Sequence, residues 1–354
     1  MAMAYQGELA PDDPLYPLLA QTVLRGTLGW AVEHPIFDVF TVDSKGVVYR
    51  YHERATGVDL VCKFFGNRPE ASDGARARQQ TAKALQREYA NLQRVRQLGM
   101  DRPPYRVVRP LAFDEERNCV LVEEYVAGPT LDTFLKQALH DNGRAALAER
   151  LADLAGFLAQ LHRRSQTSEP VDTARGLAYL EKVTGQLAHL TVIDARGQRR
   201  LDALRMGWAQ VPALAAARRV LVHGDVTPIN IVFGDDHQVI AIDLERLRED
   251  DAAVDLGIVV AELRHAFLRT AHDVDAAAPF VEHFFRRYTA EREIAGAERD
   301  ALAVRVRFFA GAMLLRIGRN DWLDLPYRQA LAAEAEQWLT PPGRALFSSI
   351  STTR

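Results

Sequence analysis

The stretch VLVHGDVTPINIVFGDDHQVIAIDLER, residues 220–246, constrains the fold more than any other part of the chain. It sets His223, Asp225, Asn230, Asp243 and Glu245 beside two short apolar runs, at 231–233 and 238–242. Apolar runs of this length read as strands, and the Gly-Asp-Asp-His between them (234–237) is turn chemistry, so the segment reads as a β-hairpin. In a hairpin the start of the first strand lies beside the end of the second. Asn230 and Asp243 therefore fall at the open end, and Asp225 precedes Asn230 in a loop stiffened by Pro228. A carboxylate and an amide oxygen converging at one mouth suit Mg²⁺, a hard cation that takes oxygen ligands and keeps waters for substrate phosphates.

At 354 residues the chain exceeds the size at which a single core usually keeps growing, so one large or two medium domains are expected. Before about residue 126 it has short β-rich runs at 37–43, 46–53, 58–66, 105–113 and 118–126, rich in Val, Phe and Tyr. One helical pattern interrupts them over 74–98, with Leu85, Tyr89, Leu92, Val95 and Leu98 at helical spacing. A small antiparallel sheet packing one helix, an α+β arrangement, fits this half. After AGPTLDTFL the chain turns helical. Residues 144–163, 252–269, 276–290 and 297–317 carry helical patterns, and 166–215 reads as helices broken by TSEPVDTARG and DARGQRR. The expected division is an N-terminal unit over 1–126, with an extension to about residue 35, and a helical unit over 127–354 that holds the hairpin.

The spacing Asp-x-x-x-x-Asn is that of the catalytic loop of kinase-type phosphoryl-transfer enzymes, in which a metal-binding Asp follows the next hairpin. Here the loop reads His223-Gly224-Asp225-Val226-Thr227-Pro228-Ile229-Asn230, and the second Asp lies in Ile242-Asp243-Leu244-Glu245. This resembles the aminoglycoside phosphotransferase family, kinase-like enzymes acting on small molecules, whose typical elements are His-Gly-Asp-x-x-x-x-Asn and then Ile-Asp-x-Glu. The order strand, helix, two strands, linker, catalytic loop is similar too, so the resemblance covers roughly 37–320. It implies a bilobal protein-kinase-like fold.

A kinase-like site also needs a strand Lys to hold nucleotide phosphates and a helical Glu to hold that Lys. Lys63 stands in the apolar run VDLVCKFFG, in a chain with five lysines against 39 arginines. A buried ammonium must be paired or it costs several kcal/mol. The helix 74–98 carries six Lys or Arg and one acid, Glu88, so a partner for Lys63 on that helix must be Glu88. The run LVEEYVAG (121–128) resembles the family's hinge, whose backbone receives the adenine edge; the resemblance puts those contacts at Glu124 and Val126. Glu123 departs from the apolar or Met residue usual behind the base. The phosphate-covering turn is Asp43-Ser44-Lys45-Gly46, with no Gly-x-Gly-x-x-Gly, and Ser44 and Gly46 are its candidate contacts.

The resemblance implies a mechanism. ATP, or alternatively GTP, lies with its base at the hinge and its α- and β-phosphates on Lys63. Asn230 and Asp243 hold Mg²⁺, and Asp225 orients a small-molecule hydroxyl and accepts its proton. His223 is structural in the family. His162 reads as a residue closing a helix, Asp255 as an N-cap, and Glu245 as either a metal contact or a cap. The acceptor stays open. Acids (Asp250, Asp251, Asp255, Glu262) would suit a polycation, and arginines (Arg264, Arg286, Arg287, Arg316, Arg319) an anion. Three other readings are weighed. A weak, pseudokinase-like nucleotide-binding module would not need the full Lys, Glu, Asp, Asn, Asp set. A metal-dependent phosphoesterase would need more His and carboxylate ligands and gives no reason for Lys63 and Glu88. A protein kinase proper would carry Asp-Phe-Gly and Ala-Pro-Glu, which this chain lacks.

Net charge of -3 and a pI near 6.4 give no overall field for nucleic acid. No apolar run reaches the roughly 18 residues a spanning helix needs, and the start, MAMAYQGELAPDDP, has no signal-peptide pattern. Cys62 and Cys119 sit in apolar runs and read as buried thiols of a reduced compartment, so a cytoplasmic location is expected. Nothing in the sequence points to an oligomeric state.

Overall fold

The computed structural model describes residues 4–42, 47–67, 75–140 and 143–341. The chain divides into two units, one of residues 1–127 with 240–245, the other of 128–239 with 246–354.

The first unit is built on an antiparallel sheet of six strands: β1 (Ala4–Glu8), β2 (Phe37–Thr41), β3 (Val48–Glu53), β4 (Asp59–Phe64), β7 (Pro110–Asp114) and β8 (Val120–Glu124), in the order β1-β2-β3-β4-β8-β7. Alternation decides its two faces. Leu60 and Cys62 of β4 and Val120 and Val122 of β8 are buried in one cluster. Their neighbours Val61 and Lys63 register with Glu123 and Leu121 on the opposite face. Residues before about 35, an extension by sequence, belong to this fold. β1 is the sheet's edge strand, and a wide helical segment, Leu18–Thr27, presses Leu18, Leu19, Val23 and Leu24 into the Leu60–Val122 cluster. The widening is visible in the bond from Leu28 N–H to Val23 O, 2.9 Å, which spans five residues instead of four.

The helix α1 (Ala75–Gln97) buries Leu85, Glu88, Leu92 and Val95. The run expected as one strand over 105–113 is two, β6 (Tyr105–Val107) and β7; β6 pairs with the short β5 (Asp101–Arg102). The break falls where Pro110 removes a ladder donor and where the Val108 N–H turns to Ala241 O at 3.0 Å. That bond and a second, from Asn91 Nδ2 to Leu244 O at 2.8 Å, tie the returning segment 240–245 to the unit.

In the second unit α2 (Leu131–Leu139), α3 (Arg144–Ser165), α4 (Thr173–His189) and α5 (Ala195–Trp208) precede the strands β9 (Val220–Val222), β10 (Ile231–Phe233) and β12 (Arg248–Asp250); β11 (Val239–Ala241) begins here and ends in the segment 240–245 of the first unit. The helices α6 (Ala253–Ala271), α7 (Ala278–Glu291), α8 (Gly296–Gly318) and α9 (Leu325–Leu339) follow. The segments that break the helical pattern near 170 and 194 are helix starts: Asp172 accepts from Ala174 N–H and Asp194 from Gly197 N–H. The turn expected at 234–237 closes through Gly234 N–H to Gln238 O and Gln238 N–H to Asp235 O, both 3.0 Å. At Val239 the chain leaves this unit for the first one, and it returns at Arg246. β12 then pairs antiparallel with β9, Arg248 opposite Val222. This fixes the chain where the loop 223–230 begins. Among the described residues no helix is long and apolar enough to cross a membrane.

Glu123 breaks the apolar pattern of β8. It is buried, and its Oε1 has no hydrogen-bond partner. Burial first, and then the neighbouring Glu88 charge, push its carboxyl well up toward the neutral form. Two outcomes are expected. Leu19→Ala should cost about 2–5 kcal/mol in urea unfolding; a loss below about 1 kcal/mol would make the N-terminal segment an appendage. Glu123→Gln should match wild type near pH 3, where the carboxyl is neutral folded or unfolded. Its advantage should grow to on the order of 1–3 kcal/mol by pH 8, because only the unfolded chain gains by ionising Glu123. Unfolding free energies of both proteins across that range check the slope.

Candidate active site

The candidate residues fall into two groups, one in each unit. The first gathers around Lys63. Its Nζ donates to both Glu88 oxygens, at 2.8 and 3.0 Å, and to Asp243 Oδ1 at 2.6 Å. The Lys63 side chain is 12% exposed and that of Glu88 0%, so this is a buried ion pair rather than a surface one. Burial works against the ammonium, but Glu88 and Asp243 outweigh it and hold the lysine pKa above its ordinary value. Burial likewise pushes the Glu88 carboxyl up, and Lys63 pulls it back. Asp243 adopts a left-handed backbone, φ 61°, just past β11. Oxygens of Glu88, Asp243 and Glu245 lie within 4.8 Å of one another. Such a set of hard oxygen donors fits a divalent cation of the Mg²⁺ type.

At the end of β8 the Glu124 N–H bonds Arg109 O at 3.0 Å, and its carboxylate accepts from Arg106 and from Arg109 N–H. The Val126 N–H meets no acceptor among the described residues. Ser44 and Gly46 lie outside the described residues.

The second group is the loop 223–230. Gly224 has φ +77°, and a Cβ there would lie 2.6 Å from Arg246 O, so both conformation and space demand glycine. The loop rests on Asp255. This carboxylate accepts from His223 N–H at 2.8 Å, Gly224 N–H at 2.9 Å and His162 Nε2 at 3.1 Å, and the other ring nitrogen of His162 meets Tyr288 Oη at 2.8 Å. Burial would raise Asp255, but His162, His223 and the Gly224 N–H hold it below the usual carboxylate range. Asp255 is therefore not the N-cap of α6. Ala252 holds that place, and Asp255 sits in the first turn, facing the loop. The sequence signal was a charged residue inside the apolar run AVDLGIVVA, which burial obliges to find partners.

Asp225 O accepts from Thr227 N–H at 2.7 Å and from Asn230 Nδ2 at 3.0 Å. The loop thus uses the amide nitrogen of Asn230 and leaves its amide oxygen, the atom a cation would take. The Asp225 carboxylate meets two arginines that sequence reading did not assign to it. Arg316 Nη2 donates to Oδ1 at 2.7 Å, and Arg246 Nε lies 3.5 Å from Oδ2. Arg316 stands on α8, 91 residues further along, and no local spacing announces it. A carboxylate held on a rigid loop can accept a hydroxyl proton, and a buried ammonium can hold phosphate oxygens.

Solved structures share the fold at low identity. Plasmodium vivax ethanolamine kinase superposes with a TM-score of 0.57 at 14% identity, covering 95% of this chain and 88% of its own. The aminoglycoside phosphotransferase APH(2'')-IIa, in a ternary complex with streptomycin and ATP, gives 0.55 at 11%, covering 93% and 97%. The GDP complex of aminoglycoside 2'-phosphotransferase-IIIa gives 0.53 at 15%, covering 84% and 92%. No curated protein matches the chain by sequence. One family model, described as the phosphotransferase enzyme family, matches residues 46–302, which takes in Lys63, Glu88, the whole loop 223–230 and Asp243; the chain belongs to that family.

Proposed function

We propose that this phosphotransferase is a kinase of small molecules that moves the γ-phosphoryl group of ATP to a hydroxyl and requires Mg²⁺. The observation that carries the reading is the buried Lys63 ammonium, held at once by Glu88 and Asp243. A cation so placed is costly unless it has anions to serve. Here Lys63 binds the α- and β-phosphates and Glu88 fixes its position. The free Val126 N–H, with the Glu124 carbonyl, receives the base edge. GTP is the alternative donor. Asn230 and Asp243 hold Mg²⁺, which when bound neutralises charge on the phosphates.

Asp225 orients the acceptor hydroxyl. The hydroxyl oxygen forms a bond to the γ-phosphorus as the bond to the β-phosphate oxygen breaks, with its electron pair leaving on ADP. The hydroxyl proton passes to Asp225. The transition state is loose, so positioning and charge neutralisation supply most of the rate. An ATP-dependent reaction fits a cytoplasmic setting, as do two free buried thiols.

ATP turnover with Mg²⁺ against pooled hydroxyl compounds tests the reading. Asp225→Asn should lower turnover by on the order of 10²–10⁴ while Mg-ATP binding persists, and Asp243→Asn should abolish the Mg²⁺ dependence of binding. Binding of Mg-ATP with no turnover in any pool would favour a nucleotide-binding module instead, and no binding at all would remove the nucleotide site.

A further inference from the structure

The acids and arginines weighed for the acceptor differ sharply in what they already hold. The acids have cationic or N–H partners. Asp250 accepts from Arg248 at 2.9 Å, Asp251 lies 2.8 Å from Arg305, and Asp255 carries the catalytic loop. Glu262 faces Arg316 from α6 and is pushed up to about 7 by burial, so it is only partly ionised at neutral pH. Asp132 and Tyr179 also bear on this place: Asp132 acts on Glu262 and pairs with Lys136 at 2.6 Å, and Tyr179 acts on Arg316. Asp225 acts on Glu262 as well, so these three carboxylates lie near one another, with Arg316 and Lys136 as their cations. Most of the arginines are engaged elsewhere as well, Arg264 by Glu334 at 2.5 Å and Arg319 by Gln186 at 2.9 Å. Arg316 is the exception. It is 17% exposed and points its guanidinium at the Asp225 carboxylate.

We propose that the acceptor is an anionic hydroxyl compound, and that Arg316 is the residue that binds its carboxylate or phosphate group. The proposal rests on the kinase reading, with Asp225 as the proton acceptor. Two guanidiniums, Arg316 and Arg246, flank that carboxylate. An ammonium-bearing acceptor would have to bring its charge against both, and like charges at close range are strongly disfavoured. An oxyanion is what a guanidinium fork binds best, by paired charge-assisted hydrogen bonds. Its arrival also resolves a conflict in the site. Arg316 occupies Asp225 Oδ1, the atom that must receive the hydroxyl proton. An acceptor that brings its own oxyanion exchanges partners with Asp225: Arg316 turns to the incoming acid group, and Oδ1 is released to the hydroxyl beside it. Water brings no such group, so Asp225 stays clamped and ATP is protected from hydrolysis.

The test runs Mg-ATP turnover on four pools: hydroxy and sugar acids, phosphorylated alcohols and sugars, neutral polyols and nucleosides, and amino alcohols with aminoglycosides. Turnover is expected in one of the two acidic pools, and which one distinguishes carboxylate from phosphate. Arg316→Gln should lower kcat/KM for that acceptor by on the order of 10–100-fold, mostly through KM, and Arg316→Lys less. The neutral methyl ester or dephosphorylated form of the same acceptor, tested on the unaltered protein, should lose a similar factor even if the variants fail to fold. Turnover confined to neutral or cationic pools would overturn the proposal and leave the kinase reading intact. Mg-ATP binding with no turnover of either acidic pool would overturn the proposal too. Failure to bind Mg-ATP would instead strike the kinase reading itself.

Discussion

A single ammonium organises the N-terminal unit. Lys63 lies inside the protein, where leaving water costs several kcal/mol per ion and only close counter-charges make the position tenable. Three separate pieces of chain meet that need: β4 carries the lysine, α1 brings Glu88, and the returning segment 240–245 brings Asp243. Remove one partner and the remaining charges are left buried and uncompensated. The hydrogen bonds from Asn91 to Leu244 O and from Val108 to Ala241 O hold the third piece in place. The ion group is therefore a registration device for β4, α1 and the segment of Asp243, whatever it also binds.

A second buried charge does comparable work under the loop 223–230, with the opposite protonation outcome to Glu123. Asp255 is as enclosed as Glu123, yet it meets two backbone N–H groups and His162, and its ionised form is favoured. Glu123 has an oxygen with no donor and acids as neighbours, and its neutral form is favoured. The number of donors, not the depth of burial, decides which carboxylate keeps its charge. One consequence is a loop whose first two N–H groups are fixed to the start of α6, so that Asp225 is presented by rigid structure on both sides.

Legibility in the sequence followed the range of the interactions. The pairing of Lys63 with Glu88 was readable because each is conspicuous alone, a lysine in an apolar strand and the one acid on a basic helix. The loop His223–Asn230 and Asp243 were readable because their spacing is local. The hairpin turn and the long helices were readable from periodicity. What escaped depends on distant partners. Residues 4–27 carry no clear period, and only the apolar face of β4 and β8 explains why Leu18, Leu19, Val23 and Leu24 are needed there. Asp172 and Asp194 sit among breaker residues that suggest loops, although the same side chains cap helices. The hold of Arg316 on Asp225 joins residues 91 apart, and no window of sequence contains both.

The segment 240–245 has a further consequence, in the order of synthesis. When the first 127 residues have been made, the N-terminal sheet and α1 are complete as chain, but Asp243 will not exist until more than a hundred further residues have been added. Until then Lys63 can find only Glu88, while the Asn91 amide and the Val108 N–H lack their acceptors on Leu244 and Ala241. The unit cannot close by itself as it is made, in the way that an N-terminal domain with a continuous chain can. Its last element arrives only after α2 to α5 and β9 to β10 have been translated. A ribosome-bound fragment ending before residue 240 is therefore an open intermediate, and the folding of the N-terminal half is tied to translation of the loop 223–230 and the hairpin after it.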